Sequence, residues 1–278
     1  MPELPEVETV CRGLAPVLVG QKLRRFEFAD QKLAVFKPSL LIGTKISKVA
    51  RNGKEVLLVF SRNSVENYLS IHLRMTGRLI WQTESQTFDS SGLLYREETE
   101  NWRKHTRAKF TFEEGELYFS DVRRFGTFKI GSEEILCQSL DPTTEQFSVQ
   151  ALRELLLGSR QPIKQWLLRQ DRLVGIGNIY ASEILFASKL SPFRLAGELA
   201  DSEIKKVHAN TKKILELAIQ NSGTTFSDFL TASGEAGGFQ NFLKVYDREG
   251  KPCRRCRAAI VRVVQAQRST FYCPQCQS

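Results

Sequence analysis

The tightest constraint on this chain's fold lies at its end, in Cys253-x2-Cys256-x16-Cys273-x2-Cys276. Two thiol pairs at this spacing close a tetrahedral zinc site. So short a segment has little apolar surface to bury, and one structural Zn2+ supplies the folding energy instead. A pair of disulfides is the competing reading. The chain opens Met1-Pro2-Glu3, acidic where an export signal carries Lys or Arg, so a cytoplasmic location with reduced thiols is expected and metal is favoured. Residues 250–278 therefore read as an appendage that folds on its own metal. The other two cysteines, Cys11 and Cys137, lack ligand spacing and read as small core side chains.

Upstream of the cysteines, the period of the apolar residues changes once. Short β-rich runs separated by turn signals cover Lys22 to Phe28, Lys45 to Ala50, Glu55 to Phe60 and Leu69 to Leu73, with a hairpin turn at Asn52-Gly53. A second hairpin runs from Lys109 to Phe119 around Glu113-Glu114-Gly115-Glu116. One helix precedes these strands, with Pro5 in its first turn and Val7, Val10, Cys11 and Leu14 at helical spacing. From Leu152 the period is helical, through Ile163, Trp166 and Leu167, then Ile179 to Ala187, then Ile204 to Ala218. The fold class that follows is α+β. Its expected divisions are a strand-rich domain over 1–144, a helical domain over 145–249 with its link at Glu145 to Gln150, and the metal-bound segment 250–278. The polar stretch Gln82 to Asn101 reads as a long loop. No run approaches the ~20 apolar residues of a bilayer span, so no membrane partner is expected.

Lys and Arg total 40 against 31 Asp and Glu, a net charge of +9. Its distribution says more than its size. No acidic residue follows Glu249, while Lys251, Arg254, Arg255, Arg257, Arg262 and Arg268 crowd the tail, a phosphate-facing patch suited to a polyanion. A second anion site is expected at Gly175, Gly177 and Asn178, where a turn opens a helix and offers backbone N–H groups beside an amide.

The first residues carry chemistry of their own. If Met1 is removed, Pro2 presents a secondary amine that titrates near ~8, so far more of it is unprotonated at neutral pH than of a lysine. Attack on a sugar C1′ by such an amine gives an iminium with no N–H to lose, and the cation draws electrons toward elimination of the 3′ phosphate. Glu3 is placed to shuttle protons to the sugar, and Glu6 to orient the amine or the substrate. Acids at a helix start are also simply favoured by the helix dipole.

Met1-Pro2-Glu3-Leu4-Pro5-Glu6-Val7-Glu8-Thr9 resembles the start of bacterial formamidopyrimidine-DNA glycosylase. The resemblance continues through Ile71-His72-Leu73-Arg74-Met75-Thr76-Gly77, Asp121-Val122-Arg123-Arg124-Phe125-Gly126, Leu173-Val174-Gly175-Ile176-Gly177-Asn178-Ile179-Tyr180-Ala181-Ser182-Glu183 and Ala266-Gln267-Arg268-Ser269-Thr270-Phe271-Tyr272-Cys273. It implies an N-terminal β-sandwich with flanking helices, a helix-two-turn-helix domain and a zinc hairpin. It also implies an activity, excision of 8-oxoguanine and ring-opened purines followed by β- and δ-elimination. By that resemblance Pro2 is the Schiff-base nucleophile, Glu3 the proton donor, Glu6 their support, Lys54 the lysine of β-elimination and Arg268 the arginine of δ-elimination. A guanidinium is a poor proton donor, so phosphate clamping is expected of Arg268 first. Met75, Arg123 and Phe125 match a set that fills the gap left by a flipped base. His72, His105, Arg160, Lys164 and Asn178 match or adjoin positions that touch DNA.

Three departures stand out. Arg74 occupies a position where the family usually has glycine, the Gln82 to Asn101 loop is longer, and Gly238 replaces a bulkier residue in the Ser233 to Phe239 segment that closes over the flipped base. The implied partner is duplex DNA carrying oxidised bases or abasic sites, bound by a monomer that uses no redox or organic cofactor. Two alternatives remain: an endonuclease VIII-type enzyme for oxidised pyrimidines, and a catalytically silent zinc-containing DNA-binding protein.

Overall fold

The computed structural model describes residues 1–84, 87–89, 102–132, 135–224 and 238–278, the backbone alone at 87–89. Most of the expected 82–101 loop and residues 233–237 of the segment expected to close over a flipped base lie outside the described residues. The chain divides into two compact units, Met1–Cys137 with Asn221–Gly238, and Gln138–Gln220 with Phe239–Ser278.

The first unit opens with α1 (Leu4–Leu18), held at its start by a reciprocal capping box between Glu3 and Glu6. Its apolar face is Val7, Val10, Cys11, Leu14 and Leu18, all buried. Nine strands follow among the described residues: β1 (Arg25–Phe28), β2 (Lys45–Asn52), β3 (Glu55–Arg62), β4 (Val65–His72), β5 (Gly77–Gln82), β6 (Thr87–Asp89), β7 (Thr106–Thr111), β8 (Glu116–Asp121) and β9 (Thr127–Gly131). They form two antiparallel sheets, in the orders β2-β3-β4-β9 and β1-β7-β8-β5-β6.

Inward side chains of both sheets share one core with α1. Val56, Leu58 and Phe60 of β3 meet Leu79 and Trp81 of β5 and Leu117 and Phe119 of β8 in it. Alternate residues on β3, Leu57 and Val59, pack on the opposite face with Tyr68. Burial on both faces explains why β3 is a continuous apolar run instead of an alternating one. The expected β-sandwich is thus formed. Two local expectations need correction. The first strand begins at Arg25, and Lys22 makes only an isolated bridge to Lys45. Cys137 is exposed and not a core residue; its N–H donates to Asn52 Oδ1 at 2.8 Å.

The second unit contains α2 (Val149–Leu156), α3 (Ile163–Leu167), α4 (Asn178–Ser188) and α5 (Asp201–Gln220). Ser148 caps α2 by accepting the Ala151 N–H at 3.1 Å. The helix α5 packs on α2 and α4, and α4 also packs on α3 and on the C-terminal hairpin of β10 (Val261–Gln265) and β11 (Arg268–Tyr272). Ala266 and Gln267 turn that hairpin with φ of +48° and +61°, the backbone of a two-residue hairpin loop.

The hairpin belongs to the same compact unit as the helices. Phe186 of α4 and Val245 share a core with Ile260 and Phe271. In addition, the buried Glu183 carboxylate accepts N–H groups of Lys244, Val245 and Tyr246 at 2.9 Å each, tying the approach to the hairpin onto α4. No helix among the described residues is long and apolar enough to cross a membrane.

Candidate functional site

In the first unit the site grows from the junction of α1 with the β2–β3 turn. Cys11 Sγ lies 3.0 Å from Ala50 O, and Glu8 pairs with Arg51 at 3.0 Å. Going back along the helix thus advances along the strand, so the helix start runs toward Asn52-Gly53-Lys54. Arg51 also donates to Gly53 O at 3.2 Å, which fixes the turn, and Gly53 supplies the left-handed φ of +64° that the turn needs. Nothing in local spacing marks Glu8 and Arg51 as the link. Burial pushes the Cys11 thiol up to about 12, with the Glu8 carboxylate adding to the effect, so it is an inert core group.

Pro2, Glu3 and Glu6 are all buried at this helix start. Both oxygens of the Glu6 carboxylate are engaged by the chain. Its Oε2 accepts the Glu3 N–H at 2.8 Å, and its Oε1 accepts the N–H and hydroxyl of Thr224 at 2.7 and 3.0 Å. The preceding Gly223 has φ +75°, and a Cβ there would lie 2.6 Å from Glu6 Oε1. One carboxylate thereby aligns the Pro2-Glu3 backbone with residues 223–224. Lys54 is 7% exposed, which rules out the ordinary solvated hairpin lysine. It has a charge effect on His72, whose strand partner Glu55 follows Lys54.

His72 is half-buried. Its pKa falls to about 4, first through burial and then through the nearby charge of Arg74. The neutral ring accepts the Arg74 N–H on Nδ1 at 3.0 Å, so Nε2 carries its proton. His105, also half-buried, stands at the entry to β7.

Met75 and Phe125 are 39% and 51% exposed, which excludes the ordinary core reading for both. They come from different turns, yet Arg123 joins them: its Nη1 is 3.2 Å from Met75 Sδ and its guanidinium lies 4.9 Å from the Phe125 ring centre. Beneath the three sits a residue that sequence reading missed, Asp121. Its buried carboxylate accepts the Thr76 hydroxyl, the Arg123 N–H at 3.2 Å and the Gly126 N–H at 2.8 Å, so one side chain locks both turns.

In the second unit, Arg160 and Arg268 are exposed, the former after α2 and the latter at the start of β11. Asn178 donates one amide hydrogen to Ser269 O at 2.9 Å, which leaves the other as the one able to meet a phosphate. The expectation that Lys164 contacts DNA is corrected. Lys164 is 1% exposed, and its ammonium donates to Asn178 Oδ1 at 2.7 Å, Ser269 O at 3.0 Å and Thr270 Oγ1 at 2.8 Å. It clamps the hairpin to the helices and has no donor left for a phosphate.

The four thiols of Cys253, Cys256, Cys273 and Cys276 lie within 4.8 Å of one another. Sulfur separations of 3.9 Å for Cys253–Cys276 and 3.4 Å for Cys256–Cys273 bracket the ~3.8 Å edge of a tetrahedron with Zn–S bonds of ~2.3 Å. The donor set fits one structural zinc.

Comparison with known proteins agrees along the whole chain. Residues 1–128 match the formamidopyrimidine-DNA glycosylase N-terminal domain, 139–229 the H2TH domain of the same enzymes, and 250–278 a zinc finger found in FPG and IleRS. Formamidopyrimidine-DNA glycosylase of Carboxydothermus hydrogenoformans is 36% identical over 100% of both chains, and that of Heliobacterium modesticaldum 38% over 100% of both. Among solved structures, the MutM (FPG) protein of Thermus thermophilus superposes with TM-score 0.83 at 36% identity, covering 99% of this chain and 98% of that one. Lactococcus lactis Fpg in complex with abasic-site DNA gives 0.83 at 33%, covering 99% of each. Domains matched in order and relatives of this identity over their full length place the chain in the formamidopyrimidine-DNA glycosylase family.

Proposed function

We propose that the chain is a bifunctional base-excision repair enzyme that removes oxidised purines, 8-oxoguanine and formamidopyrimidines, from duplex DNA and then cuts the strand at the abasic site. The observation that carries this reading is the buried Pro2-Glu3-Glu6 start of α1, directed toward a buried Lys54. Removal of Met1 frees the Pro2 amine, which attacks C1′ of the flipped nucleotide while Glu3 gives a proton to the sugar. The base leaves and a cationic iminium remains. Loss of a C2′ proton then expels the 3′ phosphate, with Lys54 holding the phosphate beside the lesion and supplying a proton. Arg268 clamps a phosphate during the second elimination, which leaves a one-nucleotide gap.

Met75, Arg123 and Phe125 fill the vacated stack, the Arg123 guanidinium bonding to the unpaired cytosine. His72, His105, Arg160 and Asn178 hold the DNA backbone. Zinc in the four-cysteine site keeps the hairpin folded and takes no part in bond breaking. The chain acts as a monomer in the cytoplasm, held to the nucleoid by its DNA affinity.

Excision from 8-oxoguanine·C and thymine-glycol duplexes tests the substrate. The purine lesion should be cut faster; dominant thymine-glycol activity would reverse the assignment. One structural relative, Lactococcus lactis Fpg, is known in complex with DNA containing an oxidised pyrimidine, at TM-score 0.83. That neighbour favours a secondary, slower pyrimidine activity in this chain as well.

A further inference from the structure

Arg74 lies in the turn between β4 and β5 with φ +56°. This is left-handed backbone, which glycine adopts freely and a residue with a Cβ adopts at a cost. The turn cannot relax the strain away. Gly77 N–H donates to Leu73 O at 2.9 Å, a Cβ on Gly77 would fall 2.4 Å from that oxygen, and Arg74's own N–H is held by His72 Nδ1.

Arg124 has the same φ of +56°, but its guanidinium bonds Asp30 twice, at 2.6 and 2.7 Å. Arg74 has no such anchor. It is exposed, it forms no ion pair with the described residues, and its charge acts on His72 beside those of Glu55, Lys54 and Lys129. Backbone strain weighs against an arginine here, and its exposed guanidinium is open to an approaching anion.

We propose that Arg74 is a DNA-binding residue of this chain, its guanidinium gripping a backbone phosphodiester of the strand that Met75 enters. Residues 74 and 75 are adjacent, so DNA that seats the Met75 side chain brings its own backbone within reach of Arg74. The inference rests on the void-filling reading of Met75, Arg123 and Phe125. It assigns Arg74 to affinity and registration, since phosphate contacts position a duplex and base contacts specify it.

The test is equilibrium binding of the zinc-loaded full-length protein to a duplex carrying an uncleavable tetrahydrofuran site and to its undamaged counterpart, at several salt concentrations. Arg74→Gly should raise Tm by a few degrees and yet weaken binding to both duplexes. The slope of log K against log salt should shrink by about 0.9, so the wild-type advantage falls roughly threefold between about 50 and about 200 mM salt. Arg74→Ala should lose the same slope without the gain in Tm, and Arg74→Lys should restore it. An unchanged slope in both the Gly and Ala variants overturns the proposal, and a lower Tm in Arg74→Gly overturns its strain argument. Met75→Ala separates the two readings. Loss of tetrahydrofuran-site discrimination at an unchanged slope supports the wedge on which the inference rests. Intact discrimination sinks the wedge, while Arg74 is still judged by its slope.

Discussion

Lys164→Met distinguishes a clamp from a DNA contact, the point on which structure and sequence disagree most. Methionine nearly fills the lysine's volume but leaves Asn178 Oδ1, Ser269 O and Thr270 Oγ1 without the ammonium. Ser269 O keeps the Asn178 amide at 2.9 Å and the Thr270 hydroxyl keeps Gln265 Oε1 at 3.3 Å, so the half-buried Asn178 Oδ1 is the acceptor that loses its partner. Such an orphan costs ~1–3 kcal/mol. Relief of the ammonium's desolvation returns part of that. A net loss of about 1–2 kcal/mol follows, a fall in Tm of roughly 3–10 °C for a unit of this size. The assay pairs calorimetry with the rate of zinc release to a chelator and with salt-dependent DNA binding. The variant should melt earlier and release zinc faster, while the slope of log K against log salt stays at the wild-type value. An unchanged Tm with a slope reduced by about 0.9 would refute the clamp and return Lys164 to the phosphate backbone.

Asp121→Asn places an amide where three donors converge on a carboxylate, so at least one of Thr76, Arg123 and Gly126 loses its acceptor. We expect lesion discrimination to fall about tenfold with zinc content unchanged, measured by excision from lesion duplexes in the presence of undamaged competitor; undiminished discrimination would remove Asp121 from the site. The folded pKa of His72, about 4, lies below its ordinary 6.5, so protonation favours the unfolded chain. Its contribution is whole above pH ~6.5 and is lost as pH falls toward about 4. The Tm of wild type should therefore drop more steeply over that window than the Tm of His72→Asn, and parallel curves would contradict the assignment. Chelation of zinc should weaken DNA binding and open the β10–β11 hairpin to hydrogen exchange before the first unit's sheets lose protection; simultaneous loss would show that the hairpin does not yield first.

What could be read from the sequence was local. The apolar positions of α1, the Asn52-Gly53 turn and the cysteine spacing all lie within a few residues of the feature they determine. The strands read were present with shifted ends, most of all β4, which starts at Val65 instead of Leu69 because Val65-Glu66-Asn67 is polar or exposed and carries no strand period of its own. The misreadings share a distant cause. Lys164 looks like any helical lysine until Ser269 and Thr270, more than a hundred residues later, close over it. Asp121 passed unnoticed because its significance is the pairing of two turns 45 residues apart in sequence, joined through Thr76.

Everything chemical in this account depends on the amine of Pro2. Borohydride trapping of the mature protein on 8-oxoguanine duplex, followed by protease digestion and mass spectrometry of the DNA-linked peptide, tests it most directly. The linkage should map to Pro2 as the first residue of the mature chain. A linkage at Lys54, or full trapping by protein that retains Met1, would contradict it.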